Sequence, residues 1–339
     1  MNGGLLGVAL RRVAIAIPLI FLVAVLVFVV LRVIPSDPIA MSVPPNATLE
    51  EIEALRREMG LHLPILDQFA IWFGKAIVGD FGRSIAFTQP VLRLIGQSLP
   101  ATIELVVLAA IFATILGLSG GLAMYQMRGR AGETATDLVS TLVMSIPEFL
   151  WAIFFILLFG VALNVLPFTG RLDSGMTVGR HTGFLLIDCL IEGRFAALGS
   201  ALVHMLLPAL ALALGTAPLL MRVLRSSLLE VTNEDYMVMA RLRGFSERQI
   251  LLRHAFKNAF LPTLNLMGVQ FSFLFGGTLL VEVIYSYPGI GNLMVEAVRN
   301  TDLPIIQGVA LVYAVAVLAI NLAVDLLALL LNPKLRVAK

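Results

Sequence analysis

The sequence predicts an all-α polytopic membrane protein with six transmembrane helices, and three observations carry that expectation. Of 339 residues, 59% are apolar and 14% charged, with a mean hydropathy of +0.94, where an ordinary soluble domain has roughly 25% charged residues. Apolar runs of about twenty residues or more recur, each long enough at about 1.5 Å per residue to cross a hydrocarbon core about 30 Å thick. Lys and Arg also cluster in alternate connecting segments. Arg11 and Arg12, Arg128 and Arg130, the stretch from Arg222 to Lys257, and Lys334, Arg336 and Lys339 hold more than half of the 24. With an even number of spans, this asymmetry puts both termini in the cytosol.

The first span is Val13 to Val33, with Pro18 expected to kink it. Arg11 and Arg12 ahead of it imitate a signal peptide, but the apolar run is too long and no small-residue cleavage site precedes Arg32. An outer segment, Ile34 to Ser98, follows. Within it Thr48 and Glu51 form a capping box that opens a helix striped by Ile52, Leu55 and Met59 and stopped at Gly60. A second amphipathic piece, Pro64 to Val78, also lies on or near the membrane face.

Ala101 to Met124 is the second span, and Ala135 to Leu163, interrupted by Pro147, is the third. The second outer loop, Asn164 to Ser200, is rich in glycine and contains an apolar short helix, Phe184 to Ile191, where Cys189 acts as a small hydrophobe. Ala201 to Leu224 is the fourth span, with Pro208 and Pro218 freeing carbonyls that neighbours or a water-lined cavity must satisfy. Ala259 to Glu282 is the fifth, with Gly268, Gly276 and Gly277 permitting close helix approach. Leu303 to Leu331 is the sixth. The chain therefore divides into residues 1–95, a five-helix unit 96–331 and a basic tail 332–339.

Glu104, Glu148 and Asp325 fall inside apolar spans. An acid at that depth is costly and marks either a pathway or a buried pair, and the sequence leaves both open.

One island breaks the apolar pattern, Asp235 to Pro262. Tyr236, Val238, Met239, Ala240 and Leu242 are spaced as the apolar stripe of a short helix that Gly244 stops. Ser246 and Gln249 make a capping box for a second helix carrying Ile250, Leu251, His254 and Phe256. Two short helices bent at Gly244 result, surrounded by Arg241, Arg243, Arg248, Arg253 and Lys257.

This island resembles the cytoplasmic loop of bacterial ABC importer permeases, with the pattern E-A-A, three residues, Gly, nine residues, I-x-L-P. Ala240 and Gly244 match, Val238 and Met239 replace Glu and Ala, and His254 to Lys257 stands at I-x-L-P. The fuller pattern A-R-x-x-G-x-S-x-x-x-x-x-x-H-A-x-x-N-A-x-x-P, typical of dipeptide, oligopeptide and nickel permeases, is met by Ala240, Arg241, Gly244, Ser246, His254, Ala255, Asn258, Ala259 and Pro262. Pro35, Asp37 and Pro38, then Glu58 to Leu61, then Gly79 to Ser84 extend the likeness. So do Glu282, Pro288, Gly289 and Gly291, at the E-x-x-x-x-x-P-G-x-G that marks an outer gate or loop.

The resemblance implies a type I ABC importer permease fold in the bacterial inner membrane, nearest to dipeptide permeases, with a coupling loop over about residues 225–258. It implies coupling roles for Asp235, Tyr236, Ala240, Arg241, Gly244, Ser246, Arg253, His254, Asn258 and Pro262. The implied partners are a second homologous permease in a heterodimer, two ATP-binding subunits holding ATP and Mg, and a periplasmic or lipid-anchored solute-binding protein. Membrane lipid surrounds the chain, and no nucleic acid is expected.

The residues themselves exclude other chemistries. There is no G-x-x-x-x-G-K-[ST] phosphate loop, no H-E-x-x-H and no G-x-S-x-G. One cysteine forms no internal disulfide, and His62, His181, His204 and His254 are scattered, so neither a catalytic centre nor a metal site is expected. A stand-alone secondary transporter is the rival reading. It predicts inverted repeats and paired broken helices, and the sequence has neither.

Overall fold

A computed structural model of the chain describes residues 5–33 and 62–331, with positions 48, 50, 53 and 57 in isolation. The expected capping box at Thr48 and Glu51, the helix ending at Gly60, the motif residues Pro35 to Pro38 and Glu58 to Leu61, and the tail 332–339 lie outside the continuous described stretches. The described residues are helical apart from loops and one isolated bridge, Arg83 to Pro90.

The first helix, α1 (Leu5–Val33), runs through Pro18 without interruption. Its side chains are mostly exposed, as expected of a helix whose solvent is lipid, with Ala24 and Phe28 buried. Helix α2 (Ile65–Ile77) has no buried residue, and Phe69, Trp72 and Phe73 meet Phe21 and Phe28 of α1 at ring distances of 5.3–5.9 Å. The G-D-F-G-R-S turn that follows is docked by Asp302, whose carboxylate accepts from Ser84 Oγ at 2.5 Å and the Ala86 N–H at 3.0 Å.

Helices α3 (Val91–Gln126) and α7 (Phe195–Val231) are the axis of the bundle and pack along most of their length. They approach closely because Gly117 and Gly121 lie one turn apart on α3. A methyl at Gly117 would come within 2.7 Å of Leu220 Cβ, and one at Gly121 within 2.9 Å of the Met221 carbonyl. This small-residue stripe is the membrane substitute for a hydrophobic driving force between helices. Both helices exceed the expected spans, and α3 begins before residue 96, so the division placed there falls inside it.

The third span is broken where Pro147 is expected to interrupt it. It is two pieces, α4 (Ala131–Ser145) and α5 (Glu148–Phe155), the latter continued by a π-helical turn, Ile156–Ala162, and the pieces are bent 95° apart. Pro147 has no N–H to continue α4 and forces Ile146 into an extended conformation, φ −100° and ψ 119°. Among the described residues five helices are long and apolar enough to cross a membrane singly, and the count reaches six when this bent pair is taken as one span.

The outer loop contains α6 (Leu185–Ile191), one residue shorter than the expected Phe184 to Ile191. Asp188, in its first turn, accepts from the Thr182 hydroxyl and from the N–H groups of Thr182 and Gly183. Burial pushes its carboxyl up, but these hydrogen bonds prevail and hold it below the usual carboxylate range.

Helix α8 (Asp235–Leu242) is the short helix of the cationic island. The second short helix expected there is instead the start of a long one: Glu247–Gln249 leads through a π-helical turn, Ile250–Ala255, into α9 (Phe256–Ile284). The chain then turns into α10 (Ile290–Arg299) and α11 (Leu303–Leu331), the last with the bounds the sequence predicts. Gly268 of α9 packs against Val324 of α11.

Candidate functional site

The basic end of the bundle is built around α8. Its buried residues are Met237 and Ala240, which enter a cluster with Tyr125 of α3, Leu224 and Leu228 of α7, and Ile250, Leu251 and Ala255 ahead of α9. The expected stripe had the wrong phase. Tyr236, Val238, Met239 and Leu242 are 42%, 48%, 56% and 77% exposed, and Met237, unselected from sequence, is the anchor. Its i, i+3 spacing to Ala240 was the available signal.

The end of α8 is a Schellman motif, with Phe245 N–H donating to the Ala240 carbonyl at 3.3 Å and Gly244 N–H to the Arg241 carbonyl at 2.9 Å. Gly244 has φ +79°, and no atom lies within 4 Å of where its Cβ would stand. Glycine is therefore favoured there by backbone angle and not by crowding. The Ser246 and Gln249 capping box forms with both reciprocal bonds.

Most of the other matched residues meet here. Asn258 donates to Tyr236 Oη at 2.7 Å, Arg241 pairs with Glu247 at 2.9 Å, and His254 lies 5.3 Å from the Phe245 ring. Asp235 opens α8, Arg253 is exposed, and Pro262 lies inside α9.

At the far end the E-x-x-x-x-x-P-G-x-G residues form a latch. The Glu282 carboxylate is fully buried and accepts from Thr102 Oγ at 2.6 Å and from the N–H groups of Gly291 at 2.8 Å and Asn292 at 3.2 Å. Thr102 Oγ in turn accepts from the Ile290 N–H at 2.8 Å. A methyl at Gly289 would stand 2.3 Å from that carboxylate and one at Gly291 2.6 Å from Leu279 Cα, which is why both are glycine. Pro288 is exposed in the turn. Thr102 carried no sequence signal, because it meets Glu282 across 180 residues.

The three membrane-depth acids separate. Glu104 is ion-paired with Arg171 and accepts the Leu186 N–H at 2.7 Å, and Asp325 pairs with Arg12 at 3.0 Å. Glu148 has no ion-pair or hydrogen-bond partner among the described residues. It stands at the α4–α5 bend against Gly215 of α7 and Gly277 of α9, with carboxylate oxygens 3.4 Å and 3.0 Å from where their Cβ atoms would be.

The family described as "Binding-protein-dependent transport system inner membrane component" matches residues 113–337, and its N-terminal companion matches residues 5–106. The di/tripeptide transport system permease protein of Pseudomonas aeruginosa (strain UCBPP-PA14) is 36% identical over 330 residues, 96% of this chain and 97% of the relative. The dipeptide transport system permease protein of Escherichia coli (strain K12) is 36% identical over 334 residues, covering 96% and 98%. The glutathione transport system permease protein of Shigella flexneri serotype 5b (strain 8401) is 32% identical over 332 residues, covering 98% and 99%. A chain of the inward-facing MetNI methionine ABC transporter superposes with a TM-score of 0.54 at 15% identity, over 70% of this chain and 96% of that one, and so shares the fold. A bundle of apolar helices with a buried latch at one end and a half-exposed helix at the other, matched along nearly its whole length, is a multi-pass transport subunit and not an enzyme: the chain belongs to the family of inner-membrane components of binding-protein-dependent transport systems.

Proposed function

We propose that this chain is one permease subunit of an ATP-binding-cassette importer for dipeptides or short peptides, paired with a second homologous permease. Two ATP-binding subunits carry ATP and Mg, and a periplasmic or lipid-anchored binding protein delivers the solute. The observation that carries this reading is the division of α8 into an inward face, Met237 and Ala240, and an outward face, Val238, Met239 and Leu242. An exposed apolar face on a fixed helix suits a cleft in a soluble partner. The excess of Lys and Arg at this end supports a cytosolic position for it and for both termini.

Because α8 is packed against α3, α7 and the turn before α9, a push on it moves three spans together. ATP-driven closure of the partner subunits supplies the push, and the α4–α5 bend and the outer latch lie on helices joined to the same bundle.

Peptide transport is supported by the similarity to the dipeptide and di/tripeptide transport permeases. The glutathione relative favours a second, peptide-like cargo. Uptake of labelled dipeptide, glutathione and nickel in cells lacking only this gene tests the choice: loss of dipeptide uptake alone supports the first, and loss of glutathione uptake alone replaces it.

Glu148 belongs to the pathway in this reading, since a carboxylate without a cation at that depth suits the ammonium group of a passing peptide. Glu148→Gln is expected to slow uptake about tenfold, the loss of roughly one charge-assisted hydrogen bond, with protein level and ATPase retention unchanged. Wild-type uptake by that variant would remove Glu148 from the path.

A further inference from the structure

Beside α8 the basic end holds a cavity of about 840 Å³ that the coupling reading does not use. Its charged walls come from two separate segments, Arg128 and Arg130 in the α3–α4 loop and Arg241, Glu247 and Arg248 around the Gly244 turn, while Thr232 beyond α7 and apolar residues from Ile250 to Leu252 add to the lining. Four arginines face one glutamate. Arg241 is bonded to Glu247, and Arg128 lies over the Tyr125 ring at 4.0 Å. The Arg130 and Arg248 guanidiniums have no hydrogen-bond or ion-pair partner among the described residues. A concave site with this surplus of guanidinium groups is built for carboxylates or phosphates.

Position separates the two sources. The fourth span ends at Leu224, and Thr232 lies eight residues further, about 12 Å along a helix. The headgroup layer is about 5–8 Å deep on each side, so the cavity stands beyond it, at the level of a soluble partner. It is also continuous with the exposed face of α8, since Arg241 belongs to both.

We propose that this cavity receives an acidic segment of the ATP-hydrolysing partner, so that the α3–α4 loop is a second attachment point beside α8. The inference rests on the importer reading and extends it, since α8 alone would need neither Arg128 nor Arg130. Two attachments on separate segments resist rotation about a single helix and convert partner closure into a directed displacement.

The test uses the whole transporter purified with its ATP-hydrolysing subunits. Arg130→Glu with Arg248→Glu is expected to weaken retention of those subunits about tenfold at physiological salt, and less at low salt, as repulsion replaces attraction across an exposed site. A photo-crosslinking amino acid at position 130, which leaves Arg248 intact, is expected to capture an ATPase subunit. Unchanged retention without a crosslink overturns the proposal. So does a double variant that keeps its subunits but loses stimulation by phosphatidylglycerol in nanodiscs, which would assign the cavity to a lipid headgroup. A wild-type complex that holds no ATPase subunit at any salt would overturn the importer reading itself, an outcome distinct from the other two.

Discussion

Glu282→Ala is expected to destabilise the protein by about 3–5 kcal/mol, one of the two large effects expected at the sites described. The carboxylate is the common acceptor for Thr102 Oγ and the N–H groups of Gly291 and Asn292, all at the junction of α3, α9 and α10. Removing it strands donors in a site fully closed to solvent, at about 1–3 kcal/mol for each buried group left unmade. It also removes the oxygen that meets the N-terminal amides of α10, those of Gly291 and Asn292. Glu282→Gln keeps an acceptor oxygen but turns its amide N–H₂ toward another donor, so a smaller loss of about 1–2 kcal/mol is expected. Gly289→Ala attacks the same latch from the other side, since its new methyl would overlap the carboxylate, at about 1–3 kcal/mol for overpacking. Thermal unfolding of the purified protein in detergent checks the order Ala, then Gly289→Ala and Gln, then wild type. An Ala variant that unfolds with the wild type would mean the latch is not a structural tie.

The second large effect is functional. Leu242→Asp with Met239→Asp is expected to reduce ATP-driven uptake by about a thousandfold while leaving unfolding unchanged. Both side chains are more than half exposed and touch little within the chain, so a charge there costs the fold little. In a partner cleft the same charges are desolvated without a counterion, a loss of about 2 kcal/mol or more each. Met237→Ala gives the opposite signature. Met237 is fully buried among Leu224, Leu228 and Ile250, and its truncation costs about 2–5 kcal/mol of stability. Uptake and unfolding measured on both variants separate the two faces of α8.

Much of this architecture is legible in the sequence, for reasons that differ by element. The bounds of α11 follow from Asp302-Leu303-Pro304 at one end and the apolar run at the other, and α6 and the Ser246 cap follow from local chemistry. The phase of α8 was not legible because the helix is apolar on both sides, one for the bundle and one exposed, so periodicity has no polar face to count from. Pro147 announced an interruption, but a proline in a membrane helix gives either a mild kink or a break, and the 95° bend depends on what α5 packs against. The pairings of Glu104 with Arg171, Asp325 with Arg12 and Glu282 with Thr102 join residues far apart in the chain. No local pattern encodes them, which is why the sequence named the acids but not their partners.

The central claim is that α8 is the point through which ATP hydrolysis on another subunit moves this bundle. The most direct measurement is uptake of labelled dipeptide into liposomes that hold this chain and its permease partner, with and without the ATP-hydrolysing subunits, with the binding protein and peptide outside and ATP in the lumen. Concentrative uptake that requires those subunits, and disappears when Met239 and Leu242 are replaced by aspartate, is the predicted result. Concentrative uptake without them, or undiminished by the α8 substitutions, would contradict it.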